Sequence, residues 1–468
     1  MSFIRFEADF PGTPAELFEW HSRPHALTRL LPPWNKTRVI DSDEPLQVGA
    51  RVLLKVCQGP LKFQWESRIQ DWEPGKFFSD TMVRGPFKEW NHLHHFSTKD
   101  DSSTTLTDEI NYRTPLGATG DFLASVIPNL KRMFRYRHTQ LRLDLERHRA
   151  YAHRPPLRIA ISGASGMIGV ALRAFLSTGG HEVFSLVRRP AQSPREIEWD
   201  PAGEVMDAQL LEGMDAVIHL AGANIAEGRW SKERKGTLTE SRVRSTRFLA
   251  TTLAGLERPP ALLLSMSGAG HYGYEDHKTV FTEASPPGSD FLAQLTVQWE
   301  GALQPAREAG IRTVVLRTPA VLSARGGALQ KMLLPFQLGG GGPIGSGTQP
   351  MGWVALDDLL GLILVALHAP SMEGPFNVQA PEEVNSAEFA KTLGKVLSRP
   401  AAIPLPAFVV KRLFGEMGEA LLLGGQRLNS ARLSETDFEF QWPTLEGALR
   451  HELGRPPLDV SETSNPGG

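Results

Sequence analysis

The chain has 468 residues, 41% hydrophobic and 22% charged, which is ordinary for a globular protein and long enough for about two or three domains. Fifty Lys and Arg against 52 Asp and Glu leave a net charge of −2, so no overall field draws nucleic acid or an anionic membrane. The lone Cys57 excludes an internal disulfide, residues 1–7 carry no signal-like apolar run, and the apolar residues 359–367 are too few to span a bilayer and are broken by Gly361; a cytoplasmic protein is expected.

Residues 3–10 read as a strand, and Thr13-Pro-Ala-Glu16 as a helix N-cap and start. Alternating runs follow at 51–57, 62–72, 86–97 and 103–113, separated by Gly, Pro and Asp turns. A long amphipathic helix over roughly 118–148 closes the segment. Its basic stretch, residues 131–137, alternates with Leu130, Phe134, Leu141 and Leu143, so the charges form a solvated face. His92 and His94 share one face of a strand, but no carboxylate or third ligand stands at a recognisable spacing, so no metal is expected.

An early helix, an antiparallel meander and a long terminal helix make an α+β helix-grip domain over 1–150. This order resembles the START-like (SRPBCC) ligand-binding superfamily. The resemblance implies an apolar cavity between sheet and helix, and hence an apolar ligand. Trp34, Trp65, Trp72, Trp90, Phe63 and Phe96 either line such a cavity or simply form the core.

Residues 147–156 are polar and end in Pro155-Pro156, a linker before the second domain at 157–455. Residues 157–161 are a buried strand, and Gly163-Ala-Ser-Gly-Met-Ile-Gly169 leads into a helix with apolar spacing. A strand, a glycine turn and a helix N-terminus form a pyrophosphate site, because glycines admit the backbone and free N–H groups face the anion. The candidate contacts are Gly163, Ser165, Gly166, Met167, Ile168 and Gly169. About 25 residues on, the next strand ends in Val187-Arg188-Arg189. A basic residue there, in place of an acid, suits the 2′-phosphate of NADP(H).

Strand–helix alternation continues, predicting a doubly wound parallel sheet of Rossmann type. The buried strand at 215–219 ends in Leu220-Ala221-Gly222, where small residues let backbone touch a cofactor. Later strands end at 265–273 and at 318–322, bringing Ser265, Ser267, His271, Tyr272 and Val321 to the same crevice. Asp357 and Asp358 are expected to cap the helix that follows them, and Gly339–Gly342 to be either a flexible cover or a plain connection.

The region 157–455 resembles the extended short-chain dehydrogenase/reductase superfamily, in an atypical epimerase-like branch. The resemblance rests on Gly163-x-x-Gly166-x-x-Gly169, Asp215-Ala-Val-Ile-His-Leu-Ala-Gly222, Gly228-Arg-Trp230, Leu316-Arg-Thr318 and Trp353-Val-Ala-Leu-Asp-Asp358. It continues through Ile403-Pro-Leu-Pro406 and Leu423-Gly-Gly-Gln-Arg427 in a small C-terminal substrate lobe at about 400–455. It implies an NADP-binding fold and a small-molecule substrate. The superfamily's Tyr-x-x-x-Lys pair is missing: the expected positions hold Leu292 and Thr296, and Tyr274…Lys278 lies in the preceding loop. Arg242 stands where the superfamily commonly has Asn; it could reach a phosphate or substrate anion, or pair with Glu240 on the surface. Tyr272 and Ser267 are then the candidate catalytic residues, with His271 a further acid–base candidate. Two functions remain open: an NADP(H)-dependent oxidoreductase or epimerase-like enzyme with a non-standard proton donor, or an NADP(H)-binding sensor without turnover.

Overall fold

Thr13 starts the first helix as the spacing predicts. Its hydroxyl accepts the Glu16 N–H, Glu16 reaches back to the Thr13 N–H, and Pro14 occupies the first turn. The computed structural model describes residues 2–58, 61–114 and 120–457. Two compact units are present: Met1–Pro156 together with Arg173–His181 and His451–Arg455, and a second built on Leu157–Leu172 and Glu182–Arg450.

In the first unit the elements run β1 (Ser2–Pro11), α1 (Pro14–Ser22), α2 (Ala26–Leu30), β2 (Arg38–Ser42), β3 (Arg51–Gln58), β4 (Leu61–Glu73), β5 (Phe77–Arg84), β6 (Glu89–Asp100), β7 (Ser103–Arg113) and α3 (Gly120–Arg149). The strands form one antiparallel sheet in the order β1-β7-β6-β5-β4-β3-β2. Residues 118–119 of the expected long helix lie outside the described residues.

Strands β2 and β5 are additions to the sequence reading. β2 is an exposed, bulged edge strand with little apolar alternation. In β5 an aspartate, Asp80, faces inward where an apolar residue is expected, which hides the period. Trp90 and Phe96 are core residues, and Trp65 and Trp72 pack against the same clusters. Trp34 is half-buried against Tyr136. Phe63 lies in a groove of about 660 Å³ with Arg38, Lys55, Lys62 and Arg84. Inside the unit, Arg29 holds Asp144 through two hydrogen bonds, at 2.7 and 2.8 Å.

The second unit continues with β8 (Arg158–Ser162), α4 (Met167–Thr178, grouped with the first unit from Arg173 onward), β9 (Glu182–Val187), β10 (Glu196–Asp200), β11 (Val205–Met206), β12 (Ala216–His219), α5 (Lys232–Thr239), α6 (Ser245–Ala254) and β13 (Leu262–Gly268). Then come β14 (Val280–Phe281), α7 (Phe291–Gly301), β15 (Arg312–Thr318), β16 (Ala320–Leu322), β17 (Trp353–Ala355), β18 (Gly374–Asn377) and β19 (Arg427–Leu428). The main sheet has the order β11-β10-β9-β8-β12-β13-β15-β18, parallel except at β11. The order reverses between β8 and β12, so a crevice opens beyond their C-terminal ends. A single π-helical turn, Glu240–Arg244, joins α5 to α6.

One expectation is corrected here and one alternative is decided. Asp358 does not cap its own helix, Leu356–His368; it is fully buried and accepts the N–H groups of Gln441 and Trp442, tying in the C-terminal lobe. Of the two alternatives for residues 339–342 the structure fits the plain connection, with Gly341 and Gly342 packed and Gly340 exposed. A Cβ on Gly342 would come 2.1 Å from the Ile403 carbonyl, and Ile403 and Leu405 donate to Gly341 and Pro343. Among the described residues no helix is long and apolar enough to cross a membrane.

Candidate functional site

The three glycines of the turn after β8 do three different things. Gly163 has φ +69°, and a Cβ there would come 2.8 Å from the Leu220 backbone. A Cβ on Gly169 would lie 2.2 Å from the Gly163 carbonyl, so this glycine lets α4 pack onto the strand. Gly166 is exposed, and a Cβ there would meet only the Gly163 oxygen, at 3.3 Å, and otherwise fill the open crevice. Ser165 beside it is exposed, and Met167, Ile168 and Gly169 open α4, whose first N–H groups lack helical partners. The Met167 thioether packs against Gly326 and Gly327.

The opposite wall is set by Ser162. Its hydroxyl accepts the N–H groups of Leu220 and Ala221 and meets His219 Nδ1 at 2.7 Å. Burial pushes His219 down to about 4, so the imidazole is neutral and serves to hold β8 and β12 together. At the end of β9, Val187 is half-buried and Arg188 is exposed, with no hydrogen-bond or ion-pair partner among the described residues. Its neighbour Arg189 is occupied: it grips Glu196 through contacts of 2.6 and 2.8 Å. A backbone cradle for a pyrophosphate and one free cation about a strand away fit a phosphorylated dinucleotide.

Arg242 departs from the surface ion-pair reading, since no such pair with Glu240 forms. Its guanidinium donates to the carbonyls of Leu238 and Ala223, lies over Trp299, and sits under Gly222. Burial, with Arg234 nearby, lowers it to about 10. It braces the Gly222–Ala223 wall from behind. Val321, half-buried in β16, is fixed by pairing with Val354 of β17.

The catalytic candidates belong to one buried network that residue spacing does not reveal. Ser267 donates to Glu300 at 2.7 Å. Arg317 grips the same carboxylate through Nε at 2.9 Å and Nη2 at 2.7 Å. Arg317 Nη1 also donates to the Tyr272 hydroxyl at 2.9 Å, and that hydroxyl donates to Asn377 at 2.7 Å. Tyr272 is 4% exposed and stacks on Phe281. Burial raises its pKa above the ordinary tyrosine value, although Arg317 and Asn377 oppose this. His271 Nδ1 stands 3.9 Å from Glu300, and burial lowers its pKa. Ser265 turns its hydroxyl to the Met266 carbonyl.

In α7 the positions of the missing pair are plainly structural. Asp290 caps the helix, Leu292 and Thr296 are buried, and the Thr296 hydroxyl bonds the carbonyls of Leu292 and Ala293. In the first unit, His92 and His94 do meet carboxylates, Asp80 and Asp108, which arrive from the neighbouring strands and not from spacing along one strand.

Fold and glycine turn define a Rossmann-type member of the short-chain dehydrogenase/reductase superfamily, preceded by a helix-grip domain. The NAD dependent epimerase/dehydratase family matches residues 159–379, a domain of unknown function, DUF1731, matches 405–452, and polyketide cyclase / dehydrase and lipid transport matches 11–137. An epimerase family protein of Mycobacterium bovis is 38% identical over 298 residues, 64% of this chain and 98% of that protein. A Corynebacterium glutamicum structure described as a nucleoside-diphosphate sugar epimerase is similar at 32% identity and a TM-score of 0.81, covering 98% of this chain and 92% of that one. The human epimerase family protein SDR39U1, solved with NADPH, is 36% identical with a TM-score of 0.58, covering 63% of this chain and 98% of that one. The chain belongs to this epimerase family.

Proposed function

We propose that this protein binds NADP(H) and is an oxidoreductase- or epimerase-type enzyme for a small molecule. The dinucleotide would lie along residues 163–169, Val187 and Arg188, and Leu220–Gly222, with Val321 on the facing wall and Arg242 behind it. The observation that carries the reading is Arg188, an uncommitted cation at the strand end where a 2′-phosphate falls, while Arg189 is already paired. The human relative solved with NADPH supports the same cofactor. Bound there, the nicotinamide supplies hydride-transfer chemistry, and the chain's part is to orient it and provide a proton. A guanidinium–phosphate contact makes roughly a ten- to hundredfold difference in affinity. NADPH is therefore expected to bind wild type that much more tightly than NADH, and Arg188→Ala to lose most of the difference. Equal affinity of wild type for both cofactors would sink the proposal.

A second reading, a cofactor-bound sensor without turnover, is favoured by one observation. Leu292 and Thr296 replace the proton-handling pair, and the Tyr272 hydroxyl is engaged on both sides. Sustained NADPH consumption with any member of a carbonyl panel decides for the enzyme. For the first unit, the match to polyketide cyclase / dehydrase and lipid transport supports an apolar ligand.

A further inference from the structure

The meander of the first unit assembles a polar cluster from residues far apart in sequence. Antiparallel register sets Asp80 of β5 opposite His92 of β6, and Asp108 of β7 opposite His94. Directly opposed residues point to the same face, so two imidazoles and two carboxylates converge there. Helix α3 adds His138, whose Nε2 lies 3.1 Å from Asp108 Oδ2.

Asp108 determines which ring nitrogens carry hydrogen. His92, His94 and His138 all turn a ring nitrogen to its carboxylate, at 3.1, 2.7 and 3.1 Å. An ionised carboxylate only accepts. His92 Nε2, 3.1 Å from Asp108 Oδ1, therefore donates to it. His94 Nδ1 lies 2.7 Å from the same oxygen, off the best hydrogen-bond line, and at that distance it too must carry its hydrogen.

In a neutral imidazole whose one nitrogen donates, the other is a lone pair. His92 Nδ1 and His94 Nε2 both face Asp80 Oδ2, at 3.6 and 3.9 Å. One ligand atom from each of Asp80, His92 and His94 lies within 4.8 Å of the other two. These atoms face one point, too far apart for a hydrogen bond among themselves. The nearby cation, Arg137, acts on both aspartates through its charge and has no hydrogen bond to either among the described residues. The Ser67 hydroxyl bonds and orients Asp80.

We propose that His92 Nδ1, His94 Nε2 and Asp80 Oδ2 bind a divalent first-row transition metal, zinc(II) or iron(II), with Asp108 and His138 as its outer support. Ligand atoms about 2.1 Å from a tetrahedral ion sit about 3.4 Å apart, so the two spacings to Asp80 need to close by no more than about half an ångström. Two imidazoles and one carboxylate leave coordination positions open for water or a ligand. Hydrogen bonds from the ring nitrogens to a carboxylate are the usual outer support of such a site. The Asp80 and His94 side chains are 18% and 13% exposed, so an ion can reach them.

The test uses the full chain, stripped with a chelator and titrated with cobalt(II) and zinc(II). One ion per chain is expected, with the visible absorption of a low-coordinate cobalt(II) site and displacement of cobalt by zinc. Asp80→Asn and His92→Gln should weaken binding at least a hundredfold, and Asp108→Asn roughly ten- to hundredfold. Cooperative unfolding of each variant serves as the folding control. X-ray absorption on zinc-loaded wild type should count two imidazole ligands, a result that depends on no variant. The proposal is overturned if wild type binds neither ion below millimolar concentration, if the variants bind as wild type does, or if the absorption spectrum shows no imidazole.

Discussion

Glu300→Gln should weaken the second unit through an uncompensated charge. Glu300 is the counter-ion of Arg317, whose side chain is 6% exposed, against 14% for Glu300. Two hydrogen bonds join them, and Ser267 supplies a third to the carboxylate. Removing one member of a buried pair costs about 3–5 kcal/mol, because the remaining charge is left in a poorly solvated place. Glutamine keeps the shape and one acceptor, so the lower end, about 3 kcal/mol, is expected. The readout is amide hydrogen exchange of peptides from β13 and β15, where that loss speeds exchange roughly a hundredfold if these strands open together. pH provides an independent check. Burial raises the Glu300 pKa, but the hydrogen bonds and charge of Arg317 and the Ser267 hydroxyl outweigh it and lower the folded value below 4.5. This stabilisation is therefore full above the ordinary glutamate value and disappears as the pH falls through the lowered one. Glu300→Gln should erase that acid limb. A loss below about 1 kcal/mol with the acid limb unchanged would refute the reasoning, because it would mean Arg317 is solvated without its partner.

Gly169→Ala should abolish NADPH binding and destabilise the second unit, since its Cβ meets a carbonyl oxygen at 2.2 Å, whereas Gly236→Ala, exposed in α5 with nothing within 4 Å, should stabilise by about 0.5–1 kcal/mol in a denaturant titration. If Tyr272 is the proton donor, Tyr272→Phe should cut turnover by at least about a hundredfold with NADPH affinity nearly unchanged; activity equal to wild type would remove it from the mechanism.

The glycine-lined crevice after β8 is legible in the sequence because its signal is local. Gly163, Gly166 and Gly169 stand at fixed spacing between a strand and a helix, and each needs to lack a side chain for reasons set within a few residues. Arg188 at the end of β9 is a neighbour of the same kind, although only the fold shows that Arg189 is taken by Glu196 and Arg188 is not. The loss of the Tyr-x-x-x-Lys pair was equally plain, because it falls within one helix. The Ser267–Glu300–Arg317–Tyr272–Asn377 network was hidden: its members come from separate elements, and a buried charge pair carries no periodic mark. Cross-strand register decided the rest. His92 and His94 were visible as a same-face pair, but their carboxylates, Asp80 and Asp108, are brought in by pairing across the meander. Spacing along a chain reports what one helix or strand presents; which side chains from different strands meet is determined only when the sheet closes and residues opposite one another are forced onto the same face.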